Sequence, residues 1–153
     1  MARQRSIISL ILVFLATFLM SCSGPSVATP PPTYTQTQLQ KIQEYLTDIE
    51  AVRNRESELG DLIDRKDWIK VGNFIHGPMA EARLDMTYIA SNLLPKEQAP
   101  ARKVARDLFD HLVKIDQAAA SGNQLVAASN YKAAYEDIDK FLTLVPKTTS
   151  SQE

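Results

Sequence analysis

Apolar residues run along this chain in two different ways. From Ile7 to Met20 they are nearly continuous, whereas beyond residue 35 they recur in steps of three and four. Leu39, Ile42, Leu46, Ile49, Val52, Leu59, Leu62 and Ile63 lie on one face of a helix predicted over Gln36–Asp64. Thr35 with Gln38 makes a capping box at its start. Gly60 is expected to weaken its last turn, and Asp64-Arg65-Lys66-Asp67 reads as a turn with Asp67 as the next N-cap.

The second stripe is Val71, Ile75, Met79, Ala82, Met86, Ile89 and Leu93, with Trp68 as a core anchor. His76-Gly77-Pro78 interrupts it, and a proline there predicts a kink or a break. Pro95 is expected to end this helix and Pro100 to occupy the first turn of the third. The third stripe is Val104, Leu108, Leu112, Ile115 and Ala119, closed by Ser121-Gly122. Asn123 caps a fourth, with Leu125, Ala128, Tyr131, Tyr135, Ile138, Leu142 and Val145 in register. There is no alternating run of β-branched residues and no repeat of about 34 residues, which excludes sheets and solenoids. Four amphipathic helices joined by short turns predict an all-α, up-down-up-down four-helix bundle.

The apolar run at the start is a different object. Ile7–Met20 is too short for a membrane-spanning helix, which needs about 20 apolar residues, and it follows a basic start with Arg3 and Arg5. It reads as a secretory signal. Leu19-Met20-Ser21-Cys22 resembles a bacterial lipobox, in which the cysteine is acylated and the leader is cut just before it. Acyl chains on Cys22 would hold the chain at a membrane, each buried CH₂ contributing about 0.8 kcal/mol. Ser23 to Thr35 carries Pro25, Pro30, Pro31 and Pro32 among Ser and Thr, the composition of an extended tether. The expected division is therefore a signal peptide at 1–21, lipidated Cys and linker at 22–35, bundle at 36–146 and a disordered tail at 147–153.

Composition narrows the chemistry by exclusion. Of 153 residues one is Cys, which rules out a disulfide framework and a Cys-based zinc cluster. Once Arg3 and Arg5 leave with the signal, 15 of the 17 bases face 18 acids. That balance excludes a nucleic-acid binder, whose phosphate contacts call for a basic domain.

No nucleophile–base set is visible, so the chain reads as a non-enzyme. His76 and His111 are 35 residues apart, without the local spacing of a metal site. A lipid-anchored periplasmic bundle binding haem or a metal through them, with Met79 for haem, is the alternative reading. The favoured one places His76 at the kink, hydrogen-bonded locally, and His111 beside the apolar stripe near the surface. The absence of Glu-x-x-His argues against a di-iron bundle. Glu136, Asp137 and Asp139 read as a solvated face, with Glu136–Lys140 and Asp110–Lys114 as i,i+4 pairs. Lys96, Arg102, Lys103 and Arg106, together with Arg65, Lys66 and Lys70, are candidates for a patch that docks on an acidic membrane-protein surface.

The order of short motifs adds a family. Asp67-Trp68, Ile75-His76-Gly77-Pro78, Arg83-Leu84-Asp85-Met86, Leu93-Leu94-Pro95-Lys96, Leu108-Phe109-Asp110 and Ile115-Asp116 resemble the PsbQ family of photosystem II extrinsic proteins. With the lipobox and the Pro-rich stretch, the resemblance is to its cyanobacterial lipoprotein branch. It implies a non-catalytic subunit on the lumenal side of the thylakoid membrane, docked with the photosystem II core and with other extrinsic subunits such as PsbO. Such a subunit stabilises the oxygen-evolving complex and helps to retain calcium and chloride, with no cofactor of its own. The positions matching the family pattern that stand out as docking or structural residues are His76, Arg83 and Asp85.

Overall fold

In the computed structural model residues 32–147 are described; the leader, Cys22 and residues 148–153 lie outside them. The described helices form four antiparallel rods. The first rod is α1 (Gln36–Arg53) and α2 (Glu56–Asp64). The second is α3 (Trp68–Phe74), a π-helical turn (Ile75–Met79) and α4 (Ala80–Asn92). The third is α5 (Pro95–Ser121) and the fourth α6 (Gln124–Leu144). Helix α1 packs on α4, α4 on α5, α5 on α6, and α6 returns to α1 and α2, which closes an up-down-up-down four-helix bundle.

The stripes form its core. Ile42, Ile49, Leu59, Met79, Met86, Ile89, Leu108, Ile115, Ile138 and Phe141 are fully buried. Each such side chain contributes about 1.5–3 kcal/mol by leaving water. The end signals also hold. The Gln38 backbone N–H donates to Thr35 Oγ1 at 3.2 Å, and the Thr35 N–H donates to Gln38 Oε1 at 3.0 Å. Asp67 and Asn123 accept from the N–H groups of Lys70 and Val126. Gly122 closes α5 with φ +68°, where a side chain would be strained.

Three expectations need correction: one helix over Gln36–Asp64, Pro100 in the first turn of the third helix, and Leu125 in the inward stripe of the fourth. The first rod is interrupted at Asn54-Arg55, where Arg55 N–H turns to the Val52 carbonyl at 3.0 Å. Gly60 sits inside α2, and Tyr131 crosses over it: a Cβ there would stand 2.9 Å from the phenol oxygen. The proline of His76-Gly77-Pro78 interrupts the second rod as expected: regular α-helix stops at Phe74 and resumes at Ala80 across a π turn. The wide π turn accommodates a residue that has no N–H and whose ring crowds the carbonyl four residues back. Finally, α5 begins at Pro95, which stands at its first position, and Pro100 lies inside the helix. In α6 the inward face includes Ala127, Ala134 and Phe141, while Leu125 is 82% exposed.

The segment ahead of α1 is fixed to the turn between α4 and α5 at the same end of the bundle. Tyr34 donates its hydroxyl to the Glu97 carboxylate in the first turn of α5, and accepts from the Leu94 N–H. Burial, with Glu97 second, pushes the Tyr34 phenol up to about 12.

Candidate functional site

The π turn, α4 and α5 together build a groove of about 230 Å³. Its apolar walls are Ile75, Ala80, Phe109, Leu112 and Val113. Two contacts span it at matching levels. His76 Nε2 lies 3.0 Å from Asp116 Oδ1, and the Arg83 guanidinium sits 5.1 Å over the Phe109 ring. His76 and Arg83 are seven residues apart, and so are Phe109 and Asp116, so both contacts follow from one antiparallel register two turns long. Such a cation over an aromatic face contributes about 0.5–1 kcal/mol when exposed. It also keeps a positive charge beside a ring that is 46% exposed.

His76 and Arg83, the two family-pattern residues, thus meet in one place. His76 does not bond locally as expected; it reaches across to α5 because the wide turn presents it there. Asp85 stands apart, half-buried, on the α1 side. Its carboxyl is held above the usual carboxylate range, first by burial and then by Asp48 and Glu81.

The basic residues of α5 divide. Lys103 pairs with Asp107 at 2.6 Å, and Lys96 is 4.0 Å from Glu97. Arg102 donates to the neutral Gln98 amide at 3.0 Å. Arg106 is exposed. Arg102, Arg106, Phe109 and Val113 follow steps of four, three and four, and so share one stripe of α5 leading into the groove. Of the other expected basic cluster, Lys70 is paired with Asp67 at 2.9 Å.

His111 is half-buried on α5, where its Nδ1 lies 2.7 Å from Asp137 Oδ2 on α6. Asp137 is not part of a solvated face: it is the one buried charged residue among those described. Burial raises its carboxyl above the usual range, and the bond to His111 offsets part of that rise. Glu136 and Asp139 are exposed as expected, Asp139 meeting Arg53 at 2.8 Å. The pairs Glu136–Lys140 and Asp110–Lys114 are not among the ion pairs of the described residues. Both histidines are thus engaged by carboxylates on neighbouring elements. Among the described residues no group of three or more His, Cys, Asp or Glu is arranged to hold a metal ion.

Phe109 and Asp116 were not singled out from the sequence as site residues. Phe109 carried a signal: it is a large apolar residue one step off the α5 stripe, beside Leu108, and such a position faces outward. Asp116 carried none, since its role depends on the register between α4 and α5.

Residues 2–146 match the PsbQ family, described as oxygen evolving enhancer protein 3. The chain is also 40% identical over 150 residues to CyanoQ of Synechocystis sp., covering 97% of this chain and 100% of that protein.

Proposed function

The chain belongs to the PsbQ family, and on that premise we propose that it is a lumenal, lipid-anchored subunit that stabilises the oxygen-evolving complex. Membership makes it an extrinsic, thylakoid-associated subunit of photosystem II, and the role proposed for it is structural. The similarity to CyanoQ over 97% of the chain is the observation that carries the reading, because it runs along nearly the whole chain.

Anchoring is assigned to Cys22. The lipobox supports it. The domain then docks on the photosystem II core beside other extrinsic subunits such as PsbO. Its contribution to calcium and chloride retention is steric cover of the oxygen-evolving centre. Deleting the gene in the source organism tests this. Oxygen evolution should fall in medium depleted of calcium and chloride and recover when the full chain is restored. Unchanged oxygen evolution in the depleted medium would contradict the retention role.

A further inference from the structure

Several cations on this bundle are matched by acids. Arg53 meets Asp139, Arg55 meets Glu58, Lys70 meets Asp67 and Lys103 meets Asp107. Arg83 lines the groove between α4 and α5, Arg102 and Arg106 stand on the α5 stripe that leads into it, and none of these three is in an ion pair among the described residues. Arg83 faces the Phe109 ring, Arg102 a neutral amide, and Arg106 meets no carboxylate among the described residues. Of the acids nearby on α5, Asp107 is taken by Lys103 and Asp116 by His76, which leaves Asp110 against the three. This rim is therefore positive on a chain whose bases are outnumbered overall. Between the guanidiniums and the His76–Asp116 contact lies the apolar hollow, with Phe109 exposed at its edge.

An apolar pocket flanked by Arg and an aromatic ring has the composition of an interface centre. We infer that this groove is the docking face for photosystem II, and that its occupant is an acidic, amphipathic segment of a partner protein. An apolar side chain of that segment enters between Phe109 and Val113, and its carboxylates pair with Arg83, Arg102 and Arg106. Arginine suits this because its planar fork binds carboxylates in bidentate fashion. An anionic lipid surface is the other source of the same charge, and the experiment below separates it from a protein segment. The inference rests on the photosystem II reading above and names the face that reading leaves open.

The test uses the full chain, purified from its own membranes, and photosystem II from a strain lacking it. Wild type is titrated beside Arg102→Glu/Arg106→Glu, Val113→Asp and a control reversal on other faces, Lys41→Glu/Lys132→Glu. Both groove variants should bind at least tenfold more weakly, while the control binds like wild type. Circular dichroism shows whether each variant is folded. A photo-cross-linking residue at Phe109 provides a readout independent of the variants and should capture an acidic segment of a photosystem II protein. Groove variants that bind like wild type, or a folded Phe109-labelled chain that binds but captures no partner protein, would overturn the inference and leave the photosystem II reading standing. Failure of wild type itself to bind would remove both. A vesicle arm, with anionic lipid, separates the other source of charge: binding there that Arg102→Glu/Arg106→Glu abolishes would make the face a membrane contact and overturn the protein partner.

Discussion

His111 and Asp137 join α5 to α6 through a 2.7 Å contact that is the only one in the described core to involve a buried charge. Asp137 titrates above the ordinary carboxylate range because burial outweighs its bond to His111. The folded state therefore holds the Asp137 proton more tightly than the unfolded chain does. Its contribution to stability is present in full below about pH 4 and is lost as pH rises through the raised value. Asp137→Asn keeps an acceptor for the ring and removes the buried charge. It should change stability by less than about 1 kcal/mol at neutral pH, and wild type should gain on it as pH falls toward about 4. His111→Ala leaves the carboxylate without its partner and should cost about 1–3 kcal/mol at neutral pH. Denaturant unfolding at the two pH values measures both.

Tyr131 and Gly60 provide a packing test. The phenol donates to the Glu56 carbonyl at 3.1 Å and lies where a Cβ on Gly60 would need to be. Alanine normally stabilises a helix interior by about 1 kcal/mol over glycine. Here Gly60→Ala should destabilise, because Tyr131 must move and loses its edge contact with Tyr135, whose ring centre is 5.4 Å away. In a Tyr131→Ala background the same change should stabilise by about 1 kcal/mol. A double-mutant cycle in thermal unfolding reads the reversal of sign.

Asp85 faces Asp48 across the α1–α4 contact, with Glu81 one turn back on α4, and burial together with those acids raises its carboxyl. Asp85→Asn should therefore stabilise the bundle at neutral pH. Because the site is partly open to solvent, the gain stays below about 1 kcal/mol. Linkage gives the sign: the advantage shrinks as pH falls toward about 4 and Asp85 becomes protonated. Melting curves of the two proteins across that range check it.

Cys22 carries the anchoring proposal. Labelled palmitate fed to the source organism should mark the wild-type chain and leave Cys22→Ser unmarked. Equal labelling of both would place any acyl group elsewhere, and no labelling of wild type would remove the anchor.

Much of the bundle was legible because a helix repeats every 3.6 residues and its ends have their own chemistry. The α5 stripe of Val104, Leu108, Leu112, Ile115 and Ala119 is buried throughout, and Thr35, Asp67, Gly122 and Asn123 cap the ends they were expected to cap. What escaped depends on contacts between helices. The interruption at Asn54-Arg55 has neither glycine nor proline to mark it, and Gly60 is explained only by a tyrosine 71 positions later. Pro78 interrupts its helix as expected, though the form is a π turn, and Pro95 follows the end of α4 as expected but also opens α5, which leaves Pro100 inside that helix. Asp137 looked like part of an acidic surface because its neighbours Glu136 and Asp139 are one, and only His111 across the bundle identifies it as a buried partner. The groove had the same standing. His76 and Arg83 were indicated by the family pattern, but their convergence with Phe109 and Asp116 is set by the register of α4 on α5.

The measurement that bears most directly on the whole account is the composition of photosystem II purified from the source organism through a tagged core subunit. The account predicts that preparations active in oxygen evolution contain this chain and that high salt, which weakens the charged contacts, lowers its amount. Oxygen-evolving preparations that never contain it, with the chain recovered only in other membrane fractions, would contradict the account.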